Sequence, residues 1–499
     1  MSFQVTWPPS FRGRLALIVM AGLAIRLAHL ILIAADNPLS GDASSYHLAA
    51  NLWADGLGFP EPFRHLFGGM DVVPISNGAT SVVETPIGHL ERTAGHPPVW
   101  AMLLGVFSFL GATSIIEQQV VSALLGAPAI ILMGLLGREV RSERLGLIAA
   151  AITATYAFVW VNDGLLMAET PAIAFAAATM LVGVRFWRSP TRRAAALLGL
   201  IGGLAALTRA ELVLFLPLVT AVVLGRAALP WRERLIRYGI CGLTAILLCL
   251  PWFVRNTMAF ETPVLFSNGM GTVLVQSNCD ATYFGSDLGY WNLDCGLPIP
   301  YGTDGRLLGE VERDEVVRER ATSYISANRG RLLSVVVPAR VGRMWGVYDP
   351  IGQIRRDVLA DRRSFAVSAL GLVQFALLVP AAVAGVVIVR RRRGPLLVLA
   401  AWIPIATLTA ASAFGNTRYR TAAETSIVIL AAVAVDAFLD WRTRRQPAGQ
   451  PEVQPEDVTM AAQAPGGSSY RASVVHSPAH HSPEGSDTSN RSTSRSTTA

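Results

Sequence analysis

The sequence predicts an all-α polytopic membrane protein with about ten transmembrane helices. Three observations predict it. Of 499 residues, 52% are hydrophobic and 15% are charged, with mean hydropathy +0.42, whereas a soluble domain carries about 25% charged residues. Apolar runs of spanning length recur along the chain. The basic residues, all of them arginine, gather at the ends of those runs, as cytoplasmic anchors do. The net charge of +7 is therefore explained without nucleic acid.

The first run, 15–35, follows Arg12 and Arg14 and is long enough to span rather than to serve as a cleaved leader. Further runs lie at 97–112, 115–137, 145–161, 165–187, 194–208, 211–225, 236–254, 365–389, 395–413 and 421–439. Arginine parity decides which of them cross. With Arg12 and Arg14 inside, the clusters 138–144, 188–193, 226–237, 390–393 and 442–445 all fall inside only if 97–112 lies along the outer surface. The arms 194–208 and 211–225 then form a short helical hairpin, each arm about 22 Å long at 1.5 Å per residue. Thr208-Arg209-Ala210-Glu211 is its outward tip.

This reading gives a multi-pass cell-membrane protein with both termini cytoplasmic. A transmembrane domain covers 1–440, with external loops 36–118 and 255–363. Residues 441–499 form a cytoplasmic tail, where Ser, Thr, Pro and Gly dominate and aromatics are scarce; such a composition predicts disorder. Cys241 and Cys249 sit in an apolar run and are expected to be inert. Cys279 and Cys295 share the second external loop and are expected to be bonded.

The chemistry-bearing residues collect at the external face. Asp42 lies just beyond the first span, with Tyr46 one helical turn later. A carboxylate at a membrane-edge cleft, partly desolvated, suits a general base. In Val161-Asn162-Asp163-Gly164, Asp163 reads as a helix cap. Glu169, two residues before Pro171, opens a helix; it either complements the macrodipole or serves as a second acid or metal ligand. Arg209, Arg255, Arg418 and Arg420 stand on the side where positive charge is disfavoured. They either anchor headgroups or grip a lipid phosphate, which guanidinium binds bidentately. His96, in Gly-His-Pro-Pro, stands near Glu84, His89 and Glu91, and no spacing among them demands a metal.

These positions fall in a familiar order. Asp42 with Tyr46, His96-Pro97-Pro98, Glu169-Thr170, Leu207-Thr208-Arg209-Ala210-Glu211, Pro251-Trp252-Phe253-Val254-Arg255-Asn256 and Arg418-Tyr419-Arg420 with Glu424 resemble six motifs of one superfamily. It comprises the GT-C glycosyltransferases related to bacterial protein-mannosyltransferases and aminoarabinose transferases, and the resemblance covers about residues 10 to 440. Two departures stand out: Ala43 follows Asp42 where an acid is common, and Ala210 replaces a proline.

The resemblance implies a GT-C-like helical bundle with interfacial helices in the first external loop. It implies inverting transfer of a sugar from a polyprenyl-phosphate-linked donor to a glycan, lipid or protein acceptor at the external face. Asp42 and Glu169 are then the catalytic acids. Tyr46, His96, Arg209, Arg255, Arg418 and Arg420 bind substrate. Some relatives use a divalent metal and others do not, so the cofactor stays open. The rival reading is a transporter or lipid flippase. It is disfavoured because transporters carry ionisable groups near the midplane, whereas here the spans hold few charges beyond Arg26 and Asp436. A non-catalytic assembly protein is a third reading.

Overall fold

The computed structural model describes residues 10–74, 80–260, 262–298, 301 and 308–445. Helix occupies every apolar run named above. Among the described residues, six segments are long and apolar enough to cross a membrane: Phe11–Ala34, Ile115–Val140, Glu169–Arg188, Trp231–Ala259, Phe365–Arg391 and Thr417–Arg444. The remaining runs form shorter helices, including Glu143–Thr155, Arg192–Ala206 and Phe215–Arg226, so length alone does not reach the ten crossings that arginine parity requires. The tail assigned to 441–499 begins with the end of a helix, which continues through Arg445. Residues 446–499 lie outside the described residues.

The core is built on Glu169–Arg188 and Thr421–Arg445, whose alanine-rich middles are buried on nearly all sides. A helix apolar all round belongs inside a bundle. Helices approach closely where glycine removes the side chain. A Cβ on Gly385 would meet the Leu430 carbonyl oxygen at 2.0 Å, and one on Gly199 the Cys241 carbonyl oxygen at 2.1 Å. The first contact fixes Phe365–Arg391 against the last helix. The second fixes Arg192–Ala206 against Trp231–Ala259.

In the first loop, helix Gly41–Ala54 is capped by the Ser40 hydroxyl, which accepts from the Ala43 amide at 3.3 Å. It packs on helix Pro98–Phe109, where Gly105 lies against Trp53 and the Ala50 carbonyl. Strands Gly69–Pro74 and Thr80–Thr85 pair antiparallel, a small exception to the all-α expectation. In the second loop, helix Met270–Ser277 packs on Glu310–Ala327, and Cys279 and Cys295 are bonded as expected. Cys241 and Cys249 are free and buried.

Candidate active site

Four separate stretches of sequence converge on one guanidinium. Arg418 lies in the turn Thr417–Arg420, which the Asn416 side chain fixes by accepting from the Arg418 amide at 2.8 Å. Its NH1 donates to Asp42 Oδ2 at 2.9 Å and reaches Asp361 Oδ1 at 3.4 Å, while its Nε donates to Glu169 Oε1 at 2.7 Å. Arg209 donates to the same Glu169 oxygen and, through Nε, to Glu211 at 2.6 Å. Asp42 and Glu169 each sit in the first turn of a helix, where the macrodipole favours a negative charge.

Burial divides the acids. Glu169 and Asp361 are shut away from solvent, whereas the Asp42 side chain is 42% exposed. One oxygen of Glu169 and one of Asp361, Oε2 and Oδ2, are buried without a hydrogen-bond partner. Unpaired buried acceptors are costly and uncommon. Beside Arg209 and Arg418 a crevice of about 10 Å³, room for roughly one water, is walled by Leu212, Ile405 and Ala406.

The electrostatics amend one expectation. Burial would raise the Asp42 carboxyl, but Arg418, with His96 and Arg209, outweighs it and holds the group down at about 2. Unliganded, Asp42 is thus a paired carboxylate rather than a poised base. Burial does win at Asp361, which is pushed up to about 6 against Arg418 and Arg363. Tyr46 lies one turn along from Asp42. Its hydroxyl is 3.3 Å from His96 Nδ1, with the rings 4.5 Å apart. Burial lowers His96, favouring the neutral ring, and raises the Tyr46 hydroxyl.

Six of the eight expected site residues therefore gather: Asp42, Glu169, Arg209 and Arg418 by direct contact, with Tyr46 and His96 alongside as a bonded pair. Arg255 stands apart. It donates to the carbonyls of Thr93 at 2.7 Å and Phe59 at 2.9 Å and lies over Trp252, tying the first loop to a span. Arg420 points into the core, pairs with Glu424, donates to the Met344 carbonyl at 3.0 Å and lies over Phe375. Glu91 pairs with Arg64 in the first loop and with Arg313 of the second, linking the two loops. Asp163 is no helix cap: it pairs with Arg26 at 2.6 Å and accepts from Thr170 at 2.9 Å, both partners buried.

Sequence reasoning missed Asp357, Asp361 and Arg363. Asp357 accepts from Thr417 at 2.6 Å and lies 3.6 Å from Arg363, which donates to Asn162 at 3.1 Å. The available signal was the spacing of Asp357 and Asp361, one helical turn apart on Pro350–Asp361, just before a span. Among the described residues, no three His, Cys, Asp or Glu side chains are grouped to hold a metal ion.

Residues 95–254 match the dolichyl-phosphate-mannose-protein mannosyltransferase family. The matched segment contains His96, Glu169 and Arg209, and omits Asp42, Arg255 and Arg418. No curated protein matches the sequence. Among solved structures, the chain is similar to the archaeal oligosaccharyltransferase AglB from Archaeoglobus fulgidus in complex with an inhibitory peptide and a dolichol-phosphate, at 15% identity and TM-score 0.49 over 88% of this chain and 52% of that one. The apo form of the Archaeoglobus fulgidus oligosaccharyltransferase gives 14% identity and TM-score 0.48, over 89% of this chain and 52% of that one. ArnT from Cupriavidus metallidurans bound to undecaprenyl phosphate gives 14% identity and TM-score 0.36, over 84% and 77%. The chain thus spans about half the length of the first two.

Proposed function

We propose that this chain transfers a sugar from a polyprenyl-phosphate-linked donor to an acceptor hydroxyl or amide at the external face of the membrane. The observation that carries the reading is Arg418, held jointly by Asp42, Glu169 and Asp361 at the ends of several spans. The mannosyltransferase family match over 95–254 supports it.

Three arginines, Arg209, Arg363 and Arg418, are outnumbered by five acids: Asp42, Glu169, Glu211, Asp357 and Asp361. An incoming phosphate gains cations only by taking them from these acids. Its approach draws Arg418 off Asp42, and Asp42 becomes more basic as its partner leaves. The acceptor then attacks the anomeric carbon as the bond to the phosphate oxygen breaks. Asp42 takes the acceptor's proton. Arg418 and Arg209 stabilise the charge gathering on the departing phosphate. The free oxygens of Glu169 and Asp361 accept from sugar hydroxyls. Tyr46 and neutral His96 shape the same wall. The crevice beside Leu212 and Ile405 opens to admit the first units of the polyprenyl chain.

The deciding assay presents the purified protein, in liposomes, with a panel of hexosyl and pentosyl polyprenyl phosphates and with membrane glycans, lipids and proteins as acceptors, and follows both released polyprenyl phosphate and sugar on the acceptor. Sugar-dependent release is expected. Lipid crossing the bilayer with its glycosyl bond intact would point to the flippase instead. The topology, ten spans with both termini inside, is tested by cysteine probes. A probe at Thr113 should label from outside and one at Ser142 should not. Background is low because both native free cysteines are buried.

A further inference from the structure

At the other end of the bundle lies a second, larger cavity. Helix Glu169–Arg188 starts at Glu169 in the candidate site and ends beside this cavity at Trp187, about 27 Å away at 1.5 Å per residue. The cavity measures about 360 Å³, room for roughly a dozen waters at ~30 Å³ each. Arg226, Arg390 and Arg393 line it together with the apolar side chains of Trp187, Leu397 and Val398.

Arginines at this end are not unusual, and their ordinary reading is headgroup anchoring. Two features combine at these three; the first is shared with Arg193, Arg391 and Arg392, and the second is not. The first is pairing. Nearby, Arg141 and Arg144 are neutralised by Asp436 and Asp440, Arg185 and Arg188 by Glu139, and Arg192 by Glu233. Among the described residues, Arg226, Arg390 and Arg393 have no acidic partner. The second is shape. The three reach the cavity from the end of Phe215–Arg226, the end of Phe365–Arg391 and the turn that follows it. Leu397 lines the cavity and is also exposed, as are Val387 one turn before Arg390 and Leu218 two turns before Arg226. The cationic mouth is thus continuous with apolar surface of the kind that faces acyl chains.

We propose that this cavity binds an anionic phospholipid. The guanidinium groups hold its phosphate, and its chains lie along Leu397, Val387 and Leu218. Basic pockets between helix ends suit such headgroups, and guanidinium suits their phosphate oxygens. The cavity is too large for a bare ion, and no acid is among the described residues that line it.

The test is native mass spectrometry of the full-length protein in mild detergent, titrated with phosphatidylglycerol or phosphatidylcholine. Wild type should retain phosphatidylglycerol preferentially. R226Q/R390Q/R393Q should bind it on the order of a hundredfold more weakly, since each arginine near an anionic surface contributes about a factor of five. R442Q/R444Q, altered at exposed arginines outside the cavity, should bind as wild type does. Leu397→Glu, which keeps all three arginines and places a negative charge at the mouth, should also lose the preference, so a poorly folded triple variant does not leave the question open. Undiminished phosphatidylglycerol binding in both cavity variants would overturn the proposal. So would displacement of the lipid by inorganic phosphate at equal concentration, which would mark a free-phosphate site.

Discussion

Arg418 and Arg420 are two residues apart on one turn, yet they live in different chemistries. Arg420 is fully buried; it pairs with Glu424, which also accepts from Tyr156 at 2.8 Å, and it is sandwiched between Phe158 and Phe375. Arg418 is shared among three acids, and two of them keep an oxygen unpaired. The first network matches one cation to one anion between two aromatic faces, and its one unsatisfied group is a donor, Arg420 NH2, with no acid oxygen left over. The second is open, with more acceptors than donors and one acid partly in solvent. A closed buried pair holds a fold in place, because removing one partner strands the other. An open one can exchange partners, which is what a binding site for an anion requires.

The sharpest way to break the contrast is Asp42→Asn, which keeps shape and removes proton acceptance. Turnover should fall about 10²–10⁴-fold, while thermal stability and donor affinity hold. Full turnover would remove Asp42 as the base. The opposite signature belongs to Arg420→Ala. It should destabilise the protein by about 3–5 kcal/mol, read by denaturation in detergent, with donor affinity of the folded fraction preserved. A loss of affinity there would erase the distinction between the two arginines.

Arg418→Ala should weaken donor binding by about 1.5–3 kcal/mol, the range for hydrogen bonds to charged groups, and should cost less stability than Arg420→Ala. Arg418→Gln sharpens the point through pH. Without the guanidinium, the acid limb of kcat/KM should move up from about 2 toward the usual carboxylate value of ~3.9. The smallest effect concerns Asp361. Its pKa is raised, so the folded state holds this proton more tightly than the unfolded chain. Its contribution to stability is complete below ~3.9 and is lost as pH rises through about 6. Asp361→Asn should flatten that part of the stability profile, and an unchanged profile would show that Asp361 does not titrate there.

The architecture was legible because its signals are local. Apolar length marked the helices of the bundle, and helix-start chemistry placed Glu169 in a first turn. The arginines were harder. Sequence order cannot separate Arg418 from Arg420, since which way each points depends on a turn fixed by Asn416 and on helices far away in the chain. Arg255 illustrates the same limit: its partners Thr93 and Phe59 lie in the first loop. The pairing of Arg26 with Asp163 was within reach. Arg26 stood out as a charge inside a span, and a buried charge needs a partner; reading Asp163 as a helix cap hid that partner.

Gly385 deserves a last consequence. The chain leaves Asp357, Asp361 and Arg363 directly into Phe365–Arg391, and Thr417 and Arg418 lead directly into Thr421–Arg445. These two helices lie as close as the missing side chain of Gly385 permits, with no space for a methyl group before the Leu430 carbonyl. An alanine there would act as a wedge, and its leverage would be felt at the Thr417–Asp357 and Arg418–Asp361 contacts. Tolerance to substitution should therefore not track distance from the chemistry. A neutral change deep in the bundle, far from any charge, would alter how the acids and arginines mesh more than many conservative changes on the loops beside them.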